Sequence, residues 1–90
     1  MTYARSVDQN QAEIVADLRR MGYQVAITSR LGEGKPDIMV ADENRQVWVE
    51  VKMPGKKLTE DEIAFHEVWP KNLRIVAYCT EDVLLWFGRL

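Results

Sequence analysis

The chain of 90 residues contains one cysteine and one histidine, and this scarcity excludes several kinds of site. Cys79 has no partner for an intramolecular disulfide, and a zinc site built from several cysteine or histidine side chains is also excluded. No apolar run approaches the roughly 20 residues of a membrane-spanning helix. The first residues lead into polar sequence, which predicts no signal peptide. These features predict a protein of the reducing cytoplasm without a membrane partner.

The chain also lacks an excess of positive charge. It has 12 Lys and Arg residues against 14 Asp and Glu residues, and its formal net charge is -2. Simple nucleic-acid-binding domains are usually strongly basic, so the overall charge alone does not predict binding to nucleic acid. Hydrophobic residues make up 47% of the chain, which is typical of a globular domain. The length predicts one domain, residues 1–90, and so small a core favours a homodimer.

Two capping boxes mark the starts of helices, Ser6-Val7-Asp8-Gln9 and Thr59-Glu60-Asp61-Glu62. The predicted elements are a helix to about Met21, strands at 24–28, 37–41 and 46–52, a helix ending before Pro70, a strand at 73–79, and a last helix capped by Thr80. This order, αβββαβα, predicts an α/β fold in which helices flank a small mixed β-sheet. The predicted core stripe of the first helix is Ile14, Val15, Leu18 and Met21.

The clearest strand, 46–52, contains residues that carry chemistry. Alternation places its three valines on one face, and Glu50 and Lys52 on the other. Asp37 begins the preceding strand, and a turn near residues 43–44 would place Asp37 nearly opposite Glu50. Two adjacent carboxylates repel each other unless a cation lies between them. Oxygen ligands of this kind favour Mg²⁺ or Mn²⁺.

The spacing Pro36-Asp37 followed by Glu50-Val51-Lys52 resembles the PD-(D/E)XK nuclease motif. Three longer segments are similar to the VRR-NUC family: Gly34-Lys35-Pro36-Asp37-Ile38, Trp48-Val49-Glu50-Val51-Lys52, and Pro54-Gly55-Lys56-Lys57-Leu58-Thr59. The resemblance implies a restriction-endonuclease-like core and a metal-dependent DNA endonuclease using Mg²⁺ or Mn²⁺, with no small-molecule cofactor. Small stand-alone members occur in phages and bacteria and are associated with branched DNA, such as four-way junctions. It therefore implies structure-selective cleavage of junctions or flaps, in the cytoplasm of a bacterial or phage-infected cell.

The resemblance also assigns roles to residues. Asp37 and Glu50 would hold the metal, the Val51 carbonyl would be a further ligand, and Glu13 on the first helix would complete the site. Lys52 would orient the attacking water or offset charge in the transition state. Where the family often has a Gln at the start of the next helix, this chain has Glu62. Glu62 is interpreted chiefly as a helix cap.

Basic residues around the motif predict a path for DNA phosphates, formed by Lys35, Lys56, Lys57 and Arg30 together with Lys52. If the three candidate carboxylates bind a cation, the rest of the chain is net positive. Simpler interpretations also exist. Lys56 and Lys57 could instead belong to a solvated loop, although their place after the motif strand favours phosphate contact. Glu13 could be a solvated helix position, although its place beside the core stripe favours the metal role.

Residues outside the motif receive structural interpretations. His66 is assigned a structural or surface role, Cys79 is read as a buried strand residue, and Trp48 is expected to pack against the first helix. Two other functions are compatible with the sequence. One is a non-catalytic nucleic-acid-binding module that keeps the nuclease fold, and the other is a protein-interaction domain with an incidental acidic cluster.

Overall fold

A capping box starts the first helix in the computed structural model, which describes residues 6–90. The Ser6 hydroxyl oxygen accepts the Gln9 N–H, and the Gln9 side chain accepts the Ser6 N–H. This helix, α1, is Val7–Arg20. Its predicted core stripe is confirmed at three positions and wrong at Met21, which is 52% exposed. Met21 is the C-cap residue, so it lies beyond the last helical residue and no longer continues the buried stripe.

Four strands form one mixed sheet in the order β1-β2-β3-β4. They are β1 (Gln24–Ile27), β2 (Ile38–Ala41), β3 (Gln46–Val51) and β4 (Arg74–Ala77). β1 and β3 are antiparallel to β2, whereas β4 is parallel to β3. A parallel pair needs a crossover connection, and here a helix, α2 (Glu60–Val68), lies between the two strands in the chain. The α/β class, the small mixed sheet and the element order are therefore confirmed.

One face of the sheet packs against α1 and against the last helix, α3 (Thr80–Trp86). The three valines of β3 are at most 1% exposed on this face, and they pack with residues of both helices in the core. This core contains Ile14, Val15, Leu18, Ile38, Val40, Val47, Val49, Val51, Val83 and Phe87. The strict alternation of β3 therefore determines which side of the sheet receives the apolar core.

The opposite face of β3 is covered by α2, which is Glu60–Val68 and starts with the predicted capping box at Thr59. The Trp48 ring contacts the rings of Phe65 and Trp69 at centroid distances of 5.5 and 5.7 Å. The expectation that Trp48 packs against the first helix was therefore wrong. Because α1 occupies the valine face, the alternation of β3 leaves Trp48 to the crossover helix.

The last helix, α3, is Thr80–Trp86. Its N-cap residue is Cys79, not Thr80 as predicted, because the Thr80 hydroxyl donates to Asp17 Oδ2 at 2.7 Å and ties α3 to α1. Cys79 is partly exposed and follows β4, so its assignment to a buried strand was also wrong. Among the helices of residues 6–90, none is long and apolar enough to cross a lipid bilayer.

Candidate active site

Strand register brings Asp37 and Glu50 together. Ile38 pairs with Val49 in the antiparallel β2–β3 ladder, so the next position on each strand is Asp37 on one side and Glu50 on the other. The Val51 N–H donates to Asp37 Oδ2 at 2.9 Å. The backbone of Asp37 is held from the other side, where its carbonyl accepts the Thr28 N–H at 2.8 Å. The predicted juxtaposition of the two carboxylates is therefore confirmed.

The Glu50 carboxyl is buried in an unfavourable electrostatic environment. The residue is 2% exposed, and its Oε1 has no hydrogen-bond partner among the described residues. Burial raises the pKa of Glu50 to about 9, and hydrogen bonding to Asp37 and the negative charges of Asp37 and Glu62 add to the shift. Without a cation, the Glu50 side chain therefore holds a proton at neutral pH. A buried acceptor without a donor is the kind of group that a bound cation would satisfy.

Lys52 and Glu62 form an ion pair beside these carboxylates. The Lys52 Nζ lies 2.8 Å from Glu62 Oε1, and the two side chains are only 15% and 17% exposed. Burial alone would lower the pKa of Lys52, but the hydrogen bond to Glu62 and the surrounding negative charges raise it above its usual value. Burial would likewise raise the pKa of Glu62, yet Lys52 and the Thr59 N–H lower it. Both groups are therefore charged at neutral pH.

Glu62 has a place in the site that the sequence did not reveal. It does cap α2 as predicted, because its Oε1 accepts the Thr59 N–H at 2.8 Å. The same oxygen also contacts Lys52, and the charge of Glu62 contributes to the pKa shift of Glu50. This role depends on the parallel crossover from β3 to β4, which places the start of α2 over Glu50 and Lys52, and the capping box alone does not indicate that path.

A close backbone contact holds the start of α2 against the loop that leads to Asp37. Gly34 in this loop has a φ of 76°, a backbone conformation that residues with a Cβ rarely adopt. A Cβ added at Gly34 would overlap the backbone carbonyl of Asp61 in the first turn of α2. Glycine at this position therefore allows two parts of the site, the approach to Asp37 and the helix with Glu62, to come together.

Glu13, the predicted third carboxylate, is exposed on α1. Within residues 6–90, no group of three or more His, Cys, Asp or Glu side chains is placed to hold a metal ion. The ligand role of Glu13 stays a prediction, and the carboxylate pair is the arrangement that the fold brings together.

The predicted phosphate-binding residues divide into two groups. Lys56 and Lys57 line one open cavity with Lys52 and with the start of α1. Lys35 is half-buried in the loop before Asp37, and Arg30 is exposed in the short 3₁₀ helix Ser29–Leu31. The first group therefore shares a surface with Lys52.

His66 lies inside the molecule, one helical turn after Glu62. It is 7% exposed, its Nδ1 is 3.3 Å from the Arg74 guanidinium, and its Nε2 has no hydrogen-bond partner among the described residues. Burial and then the charge of Arg74 lower the pKa of His66, against the opposing effect of Glu62. The structure thus favours the structural side of the predicted structural or surface role.

Comparison with known proteins finds no matching family model, no similar curated protein and no similar solved structure. The resemblance to VRR-NUC nucleases therefore stays a prediction from sequence motifs. What the fold adds is geometric, since it places the three motif residues Asp37, Glu50 and Lys52 together on the face of the sheet under α2.

Proposed function

We propose that this chain is a metal-dependent DNA endonuclease with a restriction-endonuclease-like core of the VRR-NUC type. The observation that supports this most strongly is the Asp37–Glu50 pair, in which Glu50 is buried and has an unpaired oxygen, adjacent to a lysine that is held in its charged form. Perturbed carboxylates beside a positioned ammonium are typical of sites that perform chemistry. A solvent-exposed ion pair would show neither the burial of Glu50 nor the repulsion between two adjacent carboxyl groups.

The residues present fit a magnesium or manganese ion. Asp37 and Glu50 would hold it, with the Val51 carbonyl as a further ligand. Mg²⁺ usually binds proteins through one or two carboxylates and keeps its other positions for water and substrate phosphates, so a third side-chain ligand is not required. When bound, such an ion stabilises negative charge on the scissile phosphate and lowers the pKa of a water molecule.

Besides the metal ion, Lys52 supplies a positive charge at the proposed site. Its Nζ is fixed by the contact with Glu62, so the ammonium does not have to be ordered when the substrate arrives. A preoriented charge of this kind stabilises the extra negative charge that develops on phosphate oxygens in the transition state. Lys52 would also orient the attacking water.

Lys56 and Lys57 extend this positive surface away from the reacting phosphate. Contacts to phosphates position a protein on DNA without reading its sequence. This arrangement agrees with selection by DNA structure, and junctions or flaps are the proposed substrates. The homodimer expected from the small core would present one site to each of two DNA strands.

The test is a cleavage panel with single-stranded, duplex, flap and four-way-junction DNA in Mg²⁺ or Mn²⁺. We expect cleavage of at least one branched substrate, and none in EDTA. DNA binding without cleavage in either metal would instead support the non-catalytic nucleic-acid-binding module. The absence of both binding and cleavage would leave the protein-interaction domain as the better interpretation.

A further inference from the structure

The first turn of α2 contains three acidic residues, but only one of them is drawn into the molecule. Glu60 and Asp61 are exposed, whereas the side chain of Glu62 is 17% exposed and lies against Lys52. Its Oε1 is within 2.8 Å of both the Lys52 Nζ and the Thr59 N. A helix cap alone requires only the second contact.

We propose that Glu62 is a positioning residue that keeps the Lys52 ammonium beside the Asp37–Glu50 pair without letting it occupy the place of the cation. This inference rests on the proposed function for its catalytic consequence. Lysine is a point charge on a flexible four-carbon chain, so its position depends on the anion that holds it. If the charge of Glu62 were removed, the other carboxyl groups that act on Lys52 would be those of Glu50 and Asp37. The ammonium would then compete with the metal ion for them.

The fold fixes Glu62 as firmly as this role requires. The capping box with Thr59 holds the side chain at the start of α2, and the contact between Gly34 and Asp61 fixes the helix against the loop before Asp37. The anion that holds Lys52 is therefore part of a helix terminus and not of a mobile loop.

The test uses Glu62→Gln, which removes the charge but keeps a side chain able to complete the capping box. Glu60→Gln is the matched control, because it removes the same charge from an exposed position in the same turn. NMR of the lysine ammonium groups reports on Lys52 directly and needs no activity. We expect a water-protected Lys52 signal in the wild type and in Glu60→Gln, and its loss in Glu62→Gln.

Calorimetry with Ca²⁺ gives a second readout. Glu62→Gln should weaken Ca²⁺ binding by about 5- to 20-fold, the range expected for losing one nearby negative charge and gaining a competing ammonium. Lys52→Met separates these two causes. The loss caused by Glu62→Gln should be at least about threefold larger when Lys52 is present than in the Lys52→Met background.

For cleavage, Glu62→Gln should lower kcat by about 10- to 100-fold and change KM for DNA by no more than about twofold, since a misplaced catalytic group affects the reacting state most. If the wild type cleaves no DNA but the Lys52 signal and Ca²⁺ affinity change as stated, the nuclease proposal fails and the positioning contact stands. An unchanged Lys52 signal, an equal Ca²⁺ loss in the Lys52→Met background, or unfolding of Glu62→Gln but not of Glu60→Gln would overturn the role of Glu62.

Discussion

The two faces of the same sheet differ in what they bury. On the face toward α1 and α3, β3 contributes only valines, which carry no polar side-chain atom that would need a hydrogen bond. Within residues 6–90, four buried side-chain polar atoms lack a hydrogen-bond partner. Three of them lie on the face toward α2, namely Trp48 Nε1, Glu50 Oε1 and His66 Nε2, and one, Tyr23 Oη, lies in the apolar core. Native proteins leave few such atoms, and sites of function are where they concentrate. The valine face stabilises the fold, whereas the face toward α2 buries more polar groups that cost stability.

The largest expected effect comes from separating α2 from the sheet at Gly34. Gly34→Ala combines a strained positive φ with an overlap against the Asp61 carbonyl, so it should destabilise the protein by about 3 kcal/mol or more. Gly55→Ala is the matched control, because Gly55 also has a positive φ of 83° but no atom lies near its added Cβ. That control should cost about 1–2 kcal/mol. Equal losses in denaturant unfolding would contradict the contact between the loop and α2.

The second prediction contrasts neighbouring residues that point to opposite faces. Val49→Ala should destabilise the protein by about 2–3 kcal/mol at any pH, because it leaves a cavity in the core. Glu50→Gln should instead stabilise the metal-free protein at pH 8 by about 1–3 kcal/mol.

The sign for Glu50 follows from its pKa, which rises from 4.5 in the unfolded chain to about 9 in the folded one. Folding therefore favours the protonated carboxyl, and this contribution to stability is complete below pH 4.5 and is lost as the pH rises toward 9. Glu50→Gln removes the dependence, so thermal unfolding of the two proteins should differ at pH 8 and converge near pH 4. A variant less stable than the wild type at pH 8 without metal would mean that Glu50 is not buried against Asp37.

The smallest expected effect concerns the rim of the face toward α2. Lys56→Ala combined with Lys57→Ala should leave stability nearly unchanged and weaken DNA binding in Ca²⁺. The slope of log affinity against log salt concentration should become shallower by about one to two units. With fewer phosphate contacts, binding releases fewer counterions. Fluorescence anisotropy on a labelled four-way junction measures this slope. A slope equal to that of the wild type would place the phosphate path elsewhere, with Lys35 and Arg30 as the remaining candidates.

The features that the sequence predicted correctly depend on interactions between residues close together in the chain. The capping boxes at Ser6 and Thr59, the alternation of β3 and the placement of Asp37 opposite Glu50 depend on residues a few positions apart or on one turn. All four are present in the fold.

The wrong predictions concern side chains whose position depends on packing between segments that are distant in the chain. Trp48 was assigned to the wrong helix because alternation says that a residue faces away from the valines, but not which element covers that side. The Thr80 hydroxyl was expected to cap α3, but Asp17 on α1, 63 positions away, takes its hydrogen bond. Glu62 showed its capping role in the sequence, whereas its contact with Lys52 depends on the path of α2 across the sheet.

The central claim is that the Asp37–Glu50 pair holds a cation that the reaction needs. The most direct measurement is the single-turnover rate of four-way-junction cleavage in Mg²⁺ by the wild type, Glu50→Gln and Val49→Ala, all checked for folding. We predict that Glu50→Gln loses at least about 100-fold in rate, as removal of a metal ligand usually does, while folded Val49→Ala retains most of its activity. Cleavage by Glu50→Gln at the wild-type rate, or wild-type cleavage in EDTA, would contradict the account.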